Sequence, residues 1–252
     1  MKLATRIMGD GAPLIVLHGL FGSGDNWQSL AKLWSESFQV ILVDQRNHGR
    51  SPRSDNFNYD LLAADLFDLY SDLKIGKAVL IGHSMGGKAV LRFSQLHPEK
   101  VEKAVVVDMG LKAYPPQHSD VLDAFHAVDL HKVNARSDAE AMVAAHLPNV
   151  GTAQFILKNL YRMPDGNYAW RVNFGVMEAE MEHIVAAIPP ETSNVEILFI
   201  YGSNSDYVLP SDFESIKKIF TRAKFAQLPT GHWVHAEDPD GLNRLFKKFV
   251  TS

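Results

Sequence analysis

The feature that most constrains this chain is its alternation between two hydrophobic periods. Six short runs rich in β-branched residues are bounded by Gly, Pro or Asp: 13–18 (PLIVLH), 38–44 (FQVILVD), 77–82 (KAVLIG), 101–108 (VEKAVVVD), 195–201 (VEILFIY) and 224–228 (KFAQL). Most are apolar on both faces, as strands buried in a parallel sheet are. Between them, residues 26–36, 59–73, 85–97, 211–221 and 239–250 carry apolar side chains at three- and four-residue spacings, the period of a helix with one buried face. In the second of these, Leu62, Leu66, Leu69 and Leu73 form a stripe opposite Asp65, Asp68 and Asp72. Strands alternating with helices of this length predict an α/β fold with a mostly parallel, doubly wound sheet and right-handed crossovers.

The alternation breaks once. Residues 111–190 hold no good strand run but four amphipathic stretches, at 121–131, 138–147, 152–161 and 173–187. An insertion between two strands of a parallel sheet predicts an all-helical cap over the strands' C-terminal ends, where such sheets bind ligands. Tyr114-Pro115-Pro116 and Pro189-Pro190 mark its borders. The expected architecture is one domain over residues 1–252, with a core from 1–110 and 191–252 and a helical cap at about 111–190. Phe125, Phe155, Leu160, Tyr161, Trp170, Phe174 and Met177 give that cap apolar surface, to roof a pocket or to pack on the core.

Composition removes whole chemistries. With no cysteine there is no disulfide, no thiolate metal site and no cysteine nucleophile. Lys and Arg total 25 against 29 Asp and Glu, a net charge of −4, so no basic field exists to hold a phosphate backbone, and nucleic acid is not an expected partner. Residues 1–10 lack an apolar signal-like run, and no later run approaches the ~18 apolar residues of a membrane span. The expectation is a cytoplasmic protein with no membrane partner and no cofactor.

Gly82-His83-Ser84-Met85-Gly86 fits the G-x-S-x-G turn. The pattern alone would match about one chain in ten by chance, given ordinary Gly and Ser frequencies. Here, however, it directly follows a strand run and opens a helical one, the setting in which the turn lifts a serine into a cleft and aims helix N–H groups at it. Ser84 is therefore the candidate nucleophile. A serine hydroxyl needs a base, and a developing oxyanion needs donors. His18-Gly19-Leu20-Phe21-Gly22 follows the first run, so the backbone N–H groups of Leu20 and Met85 are the candidate oxyanion hole.

Among eleven histidines, His232 stands in the loop after the last strand run, where this chain order places the base. His235, three residues on, is expected to have a supporting or surface role, because only Glu237 and Asp238 lie near enough in sequence to complete a metal site. His118, His126, His131, His146 and His183 of the cap are expected to be solvated or packed. For the acid, two positions compete. Gly202-Ser203-Asn204-Ser205-Asp206 puts Ser205 where a G-x-x-D segment would have its carboxylate, with Asp206 one residue late; Asp108 ends the neighbouring strand run. Either could fix the histidine tautomer and stabilise its imidazolium form. Phe21, His83 and Trp233, beside these positions, are the expected substrate contacts. Lys88, Lys112, Arg50 and Arg171 offer positive charge for an anionic leaving group such as coenzyme A.

With these residues assembled, the chain resembles the α/β-hydrolase superfamily over its whole length, and most closely the YbfF-type bacterial esterases and their eukaryotic abhydrolase relatives. The matching stretches are residues 18–23 (HGLFGS), 44–52 (DQRNHGRSP), 82–90 (GHSMGGKAV) and 231–237 (GHWVHAE). The resemblance implies a metal-free serine esterase or thioesterase acting on a small-molecule acyl ester. It further implies that the acid follows the strand before the cap, which maps onto Asp108, with the serine of the later turn, Ser205, joining the cluster; Asp206 is the alternative acid. Rival expectations are a role centred on acyl-CoA thioesters, a carbon–carbon bond hydrolase or lyase on the same scaffold, and a non-catalytic scaffold protein. A dehalogenase would need Asp at position 84.

Overall fold

The computed structural model describes residues 1–116, 119–147 and 149–252. Its centre is a seven-stranded sheet in the order β1-β3-β2-β4-β5-β8-β9, formed by Ala4–Met8 (β1), Ala12–Leu17 (β2), Phe38–Asp44 (β3), Ala78–His83 (β4), Val101–Val107 (β5), Ile197–Gly202 (β8) and Ala223–Leu228 (β9). Only β1 runs antiparallel, with Ala4 opposite Asp44 and Met8 opposite Val40; the others pair in parallel. Helices flank both faces: Gln28–Trp34 (α1), Tyr59–Asp72 (α2), Met85–Leu96 (α3), Phe213–Ile219 (α9) and Pro239–Val250 (α11), with a single turn, Val234–Glu237 (α10), before the last.

Alternate residues of each strand feed separate cores. Ile15, Leu17, Ile41, Val43, Leu80 and Val106 pack with α2 and α3, through Leu62, Leu66 and Val90. Leu14, Val16, Val40, Leu42, Ile81 and Val105 pack on the other face against Trp34 of α1 and Leu242 and Phe246 of α11. Burial on both faces is why these runs read as continuously apolar. The strand β1, absent from the sequence expectation, sits at the sheet edge with alternately exposed residues, so its short ATRIM pattern lacks that signal.

Between β5 and β8 the chain forms Ser119–Ala127 (α4), Arg136–Ala144 (α5), Val150–Leu157 (α6), Phe174–Ala179 (α7) and Met181–Val185 (α8). This segment is not all helical. Leu160–Arg162 (β6) and Tyr168–Trp170 (β7) pair antiparallel, with Leu160 opposite Trp170, across a turn whose Gly166 has φ of 92°. The expected helix at 152–161 therefore stops at Leu157. Aromatic residues flanking Pro164-Asp165-Gly166 favour a hairpin over a continued helix.

The inserted segment belongs to the same apolar cluster as the α2–α3 face, through Phe125, Ile156, Trp170, Met177 and Ile184. It is tied to the core by polar clasps as well. Lys88 of α3, with no exposed surface, donates to the backbone oxygens of Lys112 (3.1 Å), Val185 (3.2 Å) and Ala186, and faces the rings of Tyr59 and Tyr114. Both stems of the insertion thus end on one ammonium, whose pKa burial lowers to about 7. Asn173 N–H donates to Asn47 O at 2.8 Å, and Tyr59 Oη to Ile184 O at 2.6 Å.

Candidate active site

The sheet order brings the candidate residues together. The chain runs outward from β2 to β3 and then crosses to β4 on the other side of β2. Loops leaving adjacent strands in opposite directions open a crevice at the C-terminal edge, between β2 and β4. Leu20 leaves β2 and Ser84 leaves β4 at that point; Asp108 directly follows β5, Ser205 follows β8 and His232 follows β9.

Ser84 has φ of 53° and ψ of −121°, a sparsely populated conformation for a residue with a side chain, costing on the order of 1–3 kcal/mol. Its neighbours show why the turn tolerates nothing larger. A Cβ on Gly82 would lie 2.2 Å from Gly86 O, and one on Gly86 would lie 2.5 Å from His18 O. Met85 occupies the first position of α3, where the N–H groups have no partner within the helix. Leu20 N–H likewise makes no hydrogen bond among the described residues.

Asp108 is fully buried and is met by three groups. Gly202 N–H donates to Oδ1 at 3.0 Å, Ser205 Oγ donates to Oδ2 at 2.5 Å, and His232 Nδ1 lies 2.7 Å from Oδ2. Its φ of 47° is one that Asp adopts more readily than most residues. The rival carboxylate, Asp206, is exposed and has no hydrogen bond or ion pair among the described residues. His232 is stacked on Tyr207, with ring centroids 3.9 Å apart, and its backbone oxygen lies 2.9 Å from His83 Nε2. Glu237 brackets it by accepting from Gly231 N–H at 2.7 Å and Trp233 N–H at 3.2 Å. His232 and Ser84 line one cavity together with Phe21, His83 and Trp233, the three expected substrate contacts.

Buried histidines not singled out from the sequence support the Leu20 loop. His18 Nε2 accepts from Gln45 N–H at 3.0 Å while its Nδ1 faces Gly19 O at 2.8 Å; His48 Nε2 accepts from Phe21 N–H at 3.1 Å while its Nδ1 faces Arg46 O at 2.9 Å. Both are thereby fixed as neutral Nδ1–H tautomers. From the insertion, Asn159 donates to Phe21 O at 2.8 Å, so the loop is gripped from both sides. The Arg-Asn-His-Gly run at residues 46–49 was the available signal: Arg46 pairs with buried Asp65, Asn47 anchors the insertion, and His48 holds the loop.

Burial lowers the pKa of His18 to about 4 and that of His48 to about 3. The unfolded chain takes up these protons near pH 6.5, so between pH 6.5 and about 4 the unfolded state binds more protons and stability falls as pH falls, by about 1.4 kcal/mol per imidazole and pH unit. Denaturant unfolding at pH 7.0 and 5.0 is expected to show this loss, and His48→Gln to show a shallower one. Equal slopes in the two proteins would contradict it.

One expectation from the sequence is corrected and others are narrowed. Of the two roles expected for His235, supporting or surface, the surface one is excluded: it is 9% exposed and stacks on Trp27, with its pKa lowered by burial to about 4. The four basic residues do not line one mouth, since Lys88 is buried under the insertion, Lys112 pairs with Asp212, Arg50 lies by Asp44, and Arg171 rests on Tyr161. Among the seven apolar residues of the insertion, Phe155 reaches the cavity at Ser84, whereas Phe125, Trp170 and Phe174 pack on one another around Phe21. His126, His131, His146 and His183 are exposed as expected, and His118 lies outside the described residues. Among the described residues no group of three or more His, Asp and Glu is placed to hold a metal ion, and no helix is long and apolar enough to cross a membrane.

A strand–serine–helix elbow on a mostly parallel sheet, with a buried carboxylate on a histidine beside it, defines an α/β-hydrolase, and the chain belongs to that family: residues 12–239 match the alpha/beta hydrolase fold. It is 36% identical over 243 residues to Esterase YbfF of Escherichia coli, covering 96% of this chain and 94% of that one. It is also 36% identical to the sn-1-specific diacylglycerol lipase ABHD11 of Danio rerio, over 92% of this chain and 76% of the lipase. A solved structure described as a marine microorganism esterase superposes with a TM-score of 0.96 at 37% identity, covering 98% and 99% of the two chains.

Proposed function

We propose that the chain is a serine esterase that hydrolyses carboxylic esters or acyl thioesters of a small or medium acyl group through an acyl-enzyme. Ser84 is the nucleophile, His232 the base, Asp108 the acid partner and Ser205 a fourth member of the cluster. One observation carries the reading: the carboxylate 2.7 Å from His232 Nδ1 is Asp108, and that histidine shares a cavity with Ser84.

In this reading Ser84 Oγ attacks the acyl carbon while His232 Nε2 takes its proton. The carbonyl oxygen becomes an oxyanion held by the N–H groups of Leu20 and Met85. The tetrahedral species then expels the alcohol or thiol, which leaves with the proton from Nε2. A water molecule, deprotonated by the same nitrogen, attacks the acyl-enzyme and releases the carboxylic acid and Ser84. Asp108 keeps the Nδ1 proton in place and offsets the imidazolium charge, and Ser205 and Gly202 hold the carboxylate by donating to it.

Hydrolysis of p-nitrophenyl butyrate and butyryl-CoA tests the proposal, together with labelling by a fluorophosphonate. Turnover of at least one substrate, blocked by stoichiometric labelling of a single serine, is expected. Turnover of β-diketones with neither ester nor thioester cleaved would replace it with carbon–carbon bond hydrolysis.

A further inference from the structure

Ser84 stands between two small cavities of different character. One, of about 20 Å³, is lined by Tyr59, Met109, Tyr114, Ile184 and Tyr207. The other, of about 60 Å³, is lined by Phe21, His83, Val121, Phe155, His232 and Trp233. His232 lines the second and not the first. Because its imidazolium must hand a proton to the departing oxygen or sulfur, the leaving group has to lie on the His232 side, which leaves the Tyr59–Ile184 side for the acyl group.

The acyl side is narrow and pinned. A volume of 20 Å³ is little more than the roughly 10–15 Å³ that admits one water-sized sphere. Its walls are fixed by Tyr59 Oη donating to Ile184 O at 2.6 Å and Tyr114 Oη donating to Tyr207 O at 2.7 Å. The leaving-group side, by contrast, ends at an aromatic contact. Phe155 of α6 meets Trp233 edge-on, with centroids 4.6 Å apart and ring planes at 61°. Beyond that contact a groove of about 600 Å³ runs between α6 and the α10 turn, sharing Thr152, Phe155 and Trp233 with the Ser84 cavity. Its walls include Asn26, Asn149, Gln154, Lys158 and Glu237. Lys158 is exposed and has no ion pair among the described residues.

We propose that this groove receives the leaving group of the substrate, that Phe155 against Trp233 is the gate into it, and that the substrates are short-acyl esters or thioesters of a larger, polar, hydrogen-bonding alcohol or thiol. The proposal rests on the esterase reading. Phe155 is a specificity-determining residue and takes no part in the chemistry: its ring meets Trp233 at the end of the cavity and carries no group that could hold or move a proton.

Two series of kcat/KM values test it. With the leaving group fixed, p-nitrophenyl acetate, butyrate and octanoate report the acyl side; with acetyl fixed, methyl acetate and a glucose monoacetate report the groove. Octanoate is expected to be slower than acetate by about 100-fold or more, since each methylene a pocket cannot seat costs a factor of about 10 or more. Phe155→Ala is expected to change the ratio of glucose monoacetate to methyl acetate by about tenfold, without reordering the acyl series. Ile184→Ala is expected to do the reverse, favouring the longer acyl chains. Phe155→Leu, which keeps an apolar side chain there, gives the same direction of change if Phe155→Ala does not fold. If the Phe155 variants reorder the acyl series or move neither ratio, the assignment of the two sides is overturned while the esterase reading stands. If the wild-type protein cleaves no ester in either series, the esterase reading itself fails and takes the groove assignment with it.

Discussion

Ser84→Ala is expected to lower kcat on p-nitrophenyl esters by about 10⁶-fold and to abolish fluorophosphonate labelling, because removing a serine nucleophile leaves only the contribution of the oxyanion donors and binding. The same position yields a second, opposite effect. Ser84 holds φ at 53° and ψ at −121° only because Gly82 and Gly86 let β4 and α3 close around it. Alanine at that site keeps the strain, whereas glycine, which adopts such angles freely, releases it. Ser84→Gly is therefore expected to be inactive and yet more stable than Ser84→Ala, by about 1 kcal/mol in denaturant unfolding. A strained residue that destabilises the fold and is required for turnover is the signature of a site built for chemistry. Retained turnover in Ser84→Ala, with no contaminating hydrolase removed by further purification, would overturn the nucleophile assignment. Equal stability of the two variants would remove the strain argument.

What was legible in the sequence divides along the same physical lines. The strands β2 to β5 show because both faces are buried, so hydrophobicity alone marks them; β1 and the β6–β7 hairpin do not, one being a half-exposed edge and the other three residues long on each side. Ser84 and the Leu20 loop are legible because their geometry is local: a few adjacent glycines dictate the turn. The carboxylate is different. Whether Asp108 or Asp206 meets His232 depends on how the turn after β8 folds, which buries Ser205 against the cluster and leaves Asp206 exposed, a detail that spacing does not encode. Lys88 was misread for a similar reason. One turn along α3 from Ser84 it looks like a cation at a mouth, but the burial comes from the stems of the insertion, which lie some twenty and a hundred residues away in sequence. His48 follows the same rule, its role depending on a loop 27 residues away.

Asp108→Asn is expected to cost about 10⁴ in kcat, by analogy with other serine triads, while Asp206→Asn leaves kcat within a few-fold. The reasoning starts from the donors. Three groups, Gly202 N–H, Ser205 Oγ–H and His232 Nδ1–H, converge on the Asp108 carboxylate, which accepts from all of them. An amide there has one oxygen and one NH₂, so at least one donor faces another donor. If the NH₂ turns toward His232, the imidazole must present Nδ1 as an acceptor, its proton moves to Nε2, and the nitrogen proposed to take the Ser84 proton can no longer do so. Asn is the informative substitution because, like Asp, it tolerates the positive φ of 47° at this position, so the strand end keeps its path and the loss is chemical. Ser205→Ala removes one of the donors without changing the tautomer, and its loss of kcat is expected to be smaller than that of Asp108→Asn. Asp206, exposed and without a partner among the described residues, has no such stake. A large loss in Asp206→Asn with Asp108→Asn near wild type would move the acid to the β8 turn; comparably small losses in both would mean that His232 works without a carboxylate.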